Sequence, residues 1–149
     1  MNMRFTEDAR KIYQLAFAYA VPNTTFVGPP HLLMALLNEG TCIASDILRN
    51  EHLDRTTLVE LLSDYNLKAQ SKVEEHTDLS EPTIDPNLIN IVRLAWSESA
   101  ALRNDYISTE HLLLAIENAE RLGITKILQQ CDINGNNLRR AILHRLESA

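Results

Sequence analysis

His31 and His111 are the residues of this chain whose type and spacing most invite chemistry. Each stands directly before a Leu-Leu pair, and two matched imidazoles offer either metal ligands or acid–base groups. A helical metal site wants a second ligand one turn away, yet neither residue has a histidine four positions on, and His52, His76 and His144 keep no spacing with them. Both are therefore expected to pack and hydrogen-bond at a helix entrance. Cys42 and Cys131 lack a Cys-x-x-Cys spacing or any motif that would mark an activated thiolate, and they read as small apolar residues. Glu7-Asp8, Glu74-Glu75 and Glu110 could be imagined as the paired carboxylates of a glycosidase. Acids at helix starts have a simpler cause, because the helix dipole stabilises negative charge there. Arg139, Arg140, His144 and Arg145 suit the opposite end of a last helix in the same way. The four glycines, Gly28, Gly40, Gly123 and Gly135, are scattered singly, so no Gly-rich loop exists to cradle a nucleotide phosphate. The chain is thus expected to be no enzyme and to need no cofactor or metal.

What positions these residues is a duplication. Phe26-Val-Gly-Pro-Pro-His-Leu-Leu-Met-Ala-Leu-Leu37 returns 80 residues later as Tyr106-Ile-Ser-Thr-Glu-His-Leu-Leu-Leu-Ala-Ile-Glu117. The same offset carries Ile47-Leu48 onto Ile127-Leu128, Asp54 onto Asn134 and Leu58 onto Leu138. An offset of 79 aligns Phe5 with Ile84, Ile12 with Ile91 and Leu15-Ala16 with Leu94-Ala95. Repeat one spans about residues 5–66 and repeat two about 84–149, within a single domain over 1–149. Neither copy need bury its apolar face alone.

Within each copy the apolar residues keep helical spacing. Phe5, Ala9, Ile12, Ala16 and Tyr19 mark a first helix capped by Thr6. Gly28-Pro29-Pro30 opens a second, ended by Gly40, because proline is tolerated where no intrahelical N–H bond is lost. A short third helix starts at Thr41, and Asp54 caps a fourth with Leu58, Leu61, Leu62 and Tyr65 on one face. In repeat two, Asp85-Pro86 opens a helix whose buried face is expected to be Leu88, Ile91, Ala95 and Leu102. Ser108 caps the next, another runs from about Leu122 to Gln130, and Asn134 caps the last. No stretch of useful length alternates with period two. The expected fold is all-α: eight helices in two pseudo-two-fold four-helix repeats, with no sheet. Residues 67–83 are polar and weakly patterned and read as a surface linker, able to reach about 55–60 Å if extended.

Composition agrees. The 149 residues are 45% hydrophobic and 23% charged, ordinary globular values, and the net charge of −6 with no basic face makes nucleic acid a poor partner. No apolar run approaches a membrane span and no signal peptide opens the chain, so cytoplasmic placement is the default expectation.

Two copies of a helix followed by (Tyr/Phe)-(Ile/Val)-Gly-Thr-Glu-His-Leu-Leu-Leu-x-Leu, each with two further helices and a polar linker between, resemble the Clp N-terminal repeat domain. Tyr106–Ile116 follows the pattern closely, and Arg4-Phe-Thr-Glu-Asp-Ala-Arg-Lys11 is similar to the opening of the ClpC-type branch of Clp AAA+ unfoldases. The resemblance implies a domain that sits ahead of an ATPase ring in a longer chain and receives adaptor proteins and protein substrates. The alternative reading is a free-standing helical-repeat regulator or adaptor that binds one dedicated partner between its repeats.

Some ClpC-like members bind phosphorylated arginine at two repeat-related sites. Each combines a threonine at the start of its repeat's first helix with the glutamate of Gly-Thr-Glu-His. The carboxylate would pair with the guanidinium, while helix-start N–H groups and the hydroxyl take the phosphoryl oxygens. Carried over residue by residue, the ligand-binding candidates are Thr6, Asp85 and Glu110. Repeat one keeps Thr6 but has Pro30 in the glutamate position, and repeat two keeps Glu110 but has Asp85 in the threonine position. Paired within each repeat, both sites are incomplete and phospho-arginine binding is expected to be weak.

Overall fold

Local chemistry sets four of the helix starts in the computed structural model, which describes residues 4–20, 26–39, 43–73, 83–121, 126–131 and 133–148. The elements in order are α1 (Glu7–Ala20), β1 (Phe26–Val27), α2 (Pro29–Glu39), α3 (Ile43–Asn50), α4 (Arg55–Val73), β2 (Thr83–Ile84), α5 (Pro86–Ala101), α6 (Thr109–Arg121), α7 (Ile127–Gln130) and α8 (Gly135–Ser148). Thr6 Oγ1 accepts from Ala9 N–H at 3.2 Å, Asp54 Oδ1 from Thr57 N–H at 3.3 Å, Asp85 Oδ1 from Asn87 N–H at 2.9 Å, and Asn134 Oδ1 from Asn136 N–H at 2.9 Å. Each supplies an acceptor to a first-turn donor that has no intrahelical partner.

The eight helices among the described residues are those expected, with shifted bounds. Helix α4 continues through Val73, so helical structure runs past the boundary expected near Asn66. The rest of the expected linker up to residue 82, together with Gly40, Thr41, Cys42 and Leu122, lies outside the described residues. On α5 the buried face is Leu88, Ile91, Ala95 and Ser99. Leu102, expected as the fourth core position, instead caps the C-terminus and is 36% exposed. The chain turns there: Arg103 adopts φ 60, and Asn104 N–H donates back to Ser99 carbonyl at 2.8 Å.

One core serves both repeats. Ile12, Leu32, Leu33, Leu36, Leu48 and Leu58 from the first half and Leu88, Ile91, Ile107, Leu112, Leu113 and Leu114 from the second are fully buried in one cluster. Each such side chain stabilises the fold by about 1.5–3 kcal/mol relative to exposure. The run of buried residues along α2 and α6 marks them as the central helices. Helix α6 packs on α1, α2 and α3 of the first repeat as well as on α5, α7 and α8 of its own.

The sequence expectation of no sheet overlooked a small ribbon. β1 and β2 pair in parallel, Val27 with Ile84, and a single parallel bridge joins Phe5 to Ile107. Phe5 and Ile84 are equivalent across the duplication, and so are Val27 and Ile107. The two pairings are therefore one interaction made twice: the segment entering each repeat's first helix hydrogen-bonds to the segment entering the other repeat's second helix. Thr6 N–H donates to Ile107 carbonyl at 2.9 Å, and Asp85 N–H donates to Val27 carbonyl at 2.8 Å. Two residues are too few for an alternating pattern to be seen in sequence.

Candidate functional site

This crossing decides which candidate residues meet. Thr6 is carried to the segment that runs from Ile107 into the first turn of α6, where Glu110 lies. Asp85 is carried to the segment from Val27 into the first turn of α2, where Pro30 lies. The expected pairing within each repeat is corrected: each candidate site joins one repeat's first helix to the other repeat's second. The backbone therefore brings Thr6 beside the segment that leads to Glu110, and Asp85 beside the segment that leads to Pro30.

The two junctions differ in chemistry. At the α1/α6 junction no first-turn residue is proline, so every one carries an N–H at the positive end of its helix. Thr6 contributes a hydroxyl. Glu110, partly exposed, has its Oε1 held by the Thr109 hydroxyl at 2.9 Å. Tyr106, in the loop before α6, is 47% exposed. At the α2/α5 junction Pro29, Pro30 and Pro86 have no N–H to offer, and both Pro29 and Pro30 are buried. Tyr65, reaching in from α4, donates its hydroxyl to Asp85 Oδ2 at 2.6 Å and sets its ring edge-on to His31, centroids 5.2 Å apart. A Cβ on Gly28 would fall 2.2 Å from the Tyr65 hydroxyl oxygen, so glycine is what allows the phenol to lie there. Burial, with the Asp85 carboxylate adding to it, holds the Tyr65 hydroxyl protonated far above the ordinary tyrosine range. Nothing in the sequence pattern marked Tyr65 for this position beyond a place on the apolar face of α4.

The histidines resolve as helix caps. His111 is the third residue of α6: its Nδ1 accepts from Ser108 N–H at 2.9 Å, while Ser108 Oγ accepts from His111 N–H at 3.3 Å. This is a capping box with imidazole in the usual glutamate place. His31 repeats half of it, its Nδ1 accepting from Gly28 N–H at 3.0 Å, since Gly28 has no side chain to return the bond. Asn104 Nδ2 and His111 Nε2 lie 3.2 Å apart. Burial pulls the His111 pKa below its ordinary 6.5, against the opposing pull of Glu110 and Glu98. Among the described residues no three metal-ligating side chains converge, and Cys131 is buried.

Other contacts repeat the same way. Asn38 Nδ2 donates to Tyr19 Oη at 2.7 Å, and Asn118 Nδ2 donates to Glu98 Oε1, so a second-helix asparagine ties back to the first helix in each copy. Ser99, which the sequence did not single out, places its hydroxyl 2.8 Å from the Tyr106 carbonyl and fastens the loop before α6 to α5.

The comparisons with known proteins agree with this architecture. The model of the family described as the Clp repeat (R) N-terminal domain matches residues 4–142. A probable ATP-dependent Clp protease ATP-binding subunit of Chlamydia pneumoniae is 29% identical over 99% of this chain, and the match takes in 17% of that protein, so the chain spans about a sixth of its curated relative's length. The N-terminal domain of the ClpD chaperone of Arabidopsis thaliana is similar in structure with a TM-score of 0.69 at 23% identity, covering 97% of this chain and 95% of that one. The Hsp104 N-terminal domain of Candida albicans gives a TM-score of 0.72 at 16% identity, covering 98% and 93%. At these identities the two structures speak for the fold. No helix among the described residues is long and apolar enough to cross a membrane.

Proposed function

The chain belongs to the Clp repeat (R) N-terminal domain family, and from that premise we propose that it is the adaptor- and substrate-binding N-terminal domain of an ATP-dependent Clp unfoldase. In this reading it does no chemistry itself: it collects protein ligands, and ATP is turned over by modules elsewhere in the longer protein. The observation that carries the reading is the inequality of the two helix-start junctions. One has no proline in either first turn and carries the Thr6 hydroxyl and the Glu110 carboxylate; the other has proline at three first-turn positions and holds Tyr65 against Asp85.

The ligand of the α1/α6 junction is a phosphorylated arginine side chain displayed on a protein substrate. Glu110 takes the guanidinium, and Thr6 with the first-turn N–H groups takes the phosphoryl oxygens. The α2/α5 junction takes none, because the Asp85 carboxylate would face the phosphoryl group. Calorimetric titration with a phospho-arginine peptide should therefore give one site per chain. Glu110→Gln should weaken it by about ten- to a hundredfold, the range for losing one charge-assisted hydrogen bond of about 1.5–3 kcal/mol. Two sites, or binding indifferent to Glu110→Gln, would overturn the assignment.

A further inference from the structure

Duplication provides an internal control, since what the fold demands should stand in both copies. Where the second, third and fourth helices of a repeat converge, each copy has a cavity. In repeat one it measures about 520 Å³ and is lined by Leu37, Asn38, Arg49, His52, Leu53 and Arg55. In repeat two it measures about 320 Å³ and includes Glu117, Gln129, Ile133 and Gly135, the equivalents of Leu37, Arg49, Leu53 and Arg55. The same turn of backbone is thus built with opposite polarity. Repeat two places a carboxylate on the floor, 1% exposed and neutralised by Arg139 at 3.2 Å. Repeat one has leucine on the floor and two guanidiniums and an imidazole around the rim. Gln129 and Gly135 show that this turn folds without arginine, so Arg49 and Arg55 are not required by the architecture.

Several details suit the rim to a ligand. Asp46 holds Arg49 Nη2 at 2.5 Å, fixing the guanidinium from outside, since Asp46 does not line the cavity. Asp54 is engaged by the hydroxyl of Thr57 at 2.8 Å as the cap of α4, and Glu51, beside His52 in the chain, does not line the cavity. His52 is held at the rim by a left-handed backbone, φ 58, a conformation uncommon outside glycine. Asn38 is anchored by Tyr19. In a chain of net charge −6, a cavity with a cationic rim and leucine walls is selective for what the rest of the surface repels.

We propose that this cavity is a second docking site, separate from the α1/α6 junction, which receives an acidic and apolar segment of a protein partner. A carboxylate lies between Arg49 and Arg55, and a neighbouring apolar side chain rests on Leu37 and Leu53. The test is a titration of the isotope-labelled chain, followed by amide chemical shifts, with acetyl-Leu-Glu-Leu-Glu-Leu-amide, with its glutamine counterpart, and with inorganic phosphate. The glutamate peptide should shift Leu37, Asn38, Arg49, His52, Leu53 and Arg55 saturably and more weakly as salt rises. The glutamine peptide should bind at least about tenfold less tightly. Arg49→Gln with Arg55→Gly, which copies the residues of repeat two and so preserves the fold, should cause the same loss, whereas Glu110→Gln should leave this binding unchanged. Absence of saturation, shifts mapping elsewhere, equal binding of the two peptides, or displacement by phosphate at equal concentration would each overturn the proposal.

Discussion

Gly28 and Tyr65 form the contact that distinguishes the two junctions, and its energetics are open to a double-mutant cycle. Gly28→Ala should destabilise the fold by about 1–3 kcal/mol, because the new methyl group must push the phenol off Asp85. In a Tyr65→Leu background the same change should cost measurably less, and urea midpoints of the four proteins give the coupling. Additive effects would mean that the phenol has room to swing aside. His111 sets the pH response. Its folded pKa lies below the ordinary 6.5, so as the pH falls through that value the unfolded chain takes up a proton that the folded chain refuses. This contribution to stability is intact above about 6.5 and declines as the pH drops toward the folded pKa. Urea midpoints from pH 8 downward should therefore decline below neutrality, and His111→Gln, though less stable at pH 8, should show a shallower decline.

The crossed pairing of entry segments belongs to the scale of elements. Thr6, Ile107 and Asp85 each place an N–H across the boundary between repeats, Ile107 donating to Arg4 carbonyl at 2.7 Å. If these bonds hold the halves together, their amides open only when the whole molecule does. Native-state hydrogen exchange should then find Thr6, Ile107 and Asp85 as slow as the buried turns of α2 and α6. Exchange several orders of magnitude faster would show that the ribbon frays independently and that helix packing alone joins the repeats. The same crossing brings four helix N-termini together in two pairs, and this arrangement creates the junctions in the first place.

At the scale of the molecule, a single core shared by both halves predicts one cooperative transition. The protein reports this conveniently, because its only tryptophan, Trp96, lies on α5 in repeat two, whereas far-ultraviolet dichroism reads the helices of both repeats. The two signals should give coincident urea curves. Leu33→Ala, in the fully buried centre of α2 in repeat one, should cost about 2–5 kcal/mol and move the Trp96 curve as far as the dichroism. A Trp96 transition unmoved by Leu33→Ala would show that the repeats unfold separately.

Much of this molecule is legible in its sequence because helices and their caps are made by residues near one another in the chain. Thr6, Asp54, Asp85, Ser108 and Asn134 each cap the helix expected of them, and the duplicated His-Leu-Leu motif correctly placed α2 and α6. The plain role expected for His31 and His111 follows from the same local geometry. What local chemistry does not reach is where distant segments meet. Helical period alone would bury Leu102, but the chain turns at Arg103 before that period can do so. Membership of a repeat groups Thr6 with Pro30 and Asp85 with Glu110, whereas the backbone bonds make Thr6 a neighbour of Ile107 and Asp85 a neighbour of Val27. Strand pairing depends on which segments become neighbours in three dimensions, and two-residue segments leave no trace of it in their side-chain pattern. The residues available to a site were thus determined by the sequence alone, whereas their partners were decided by the crossing of the two repeats and the shared core that holds them in place.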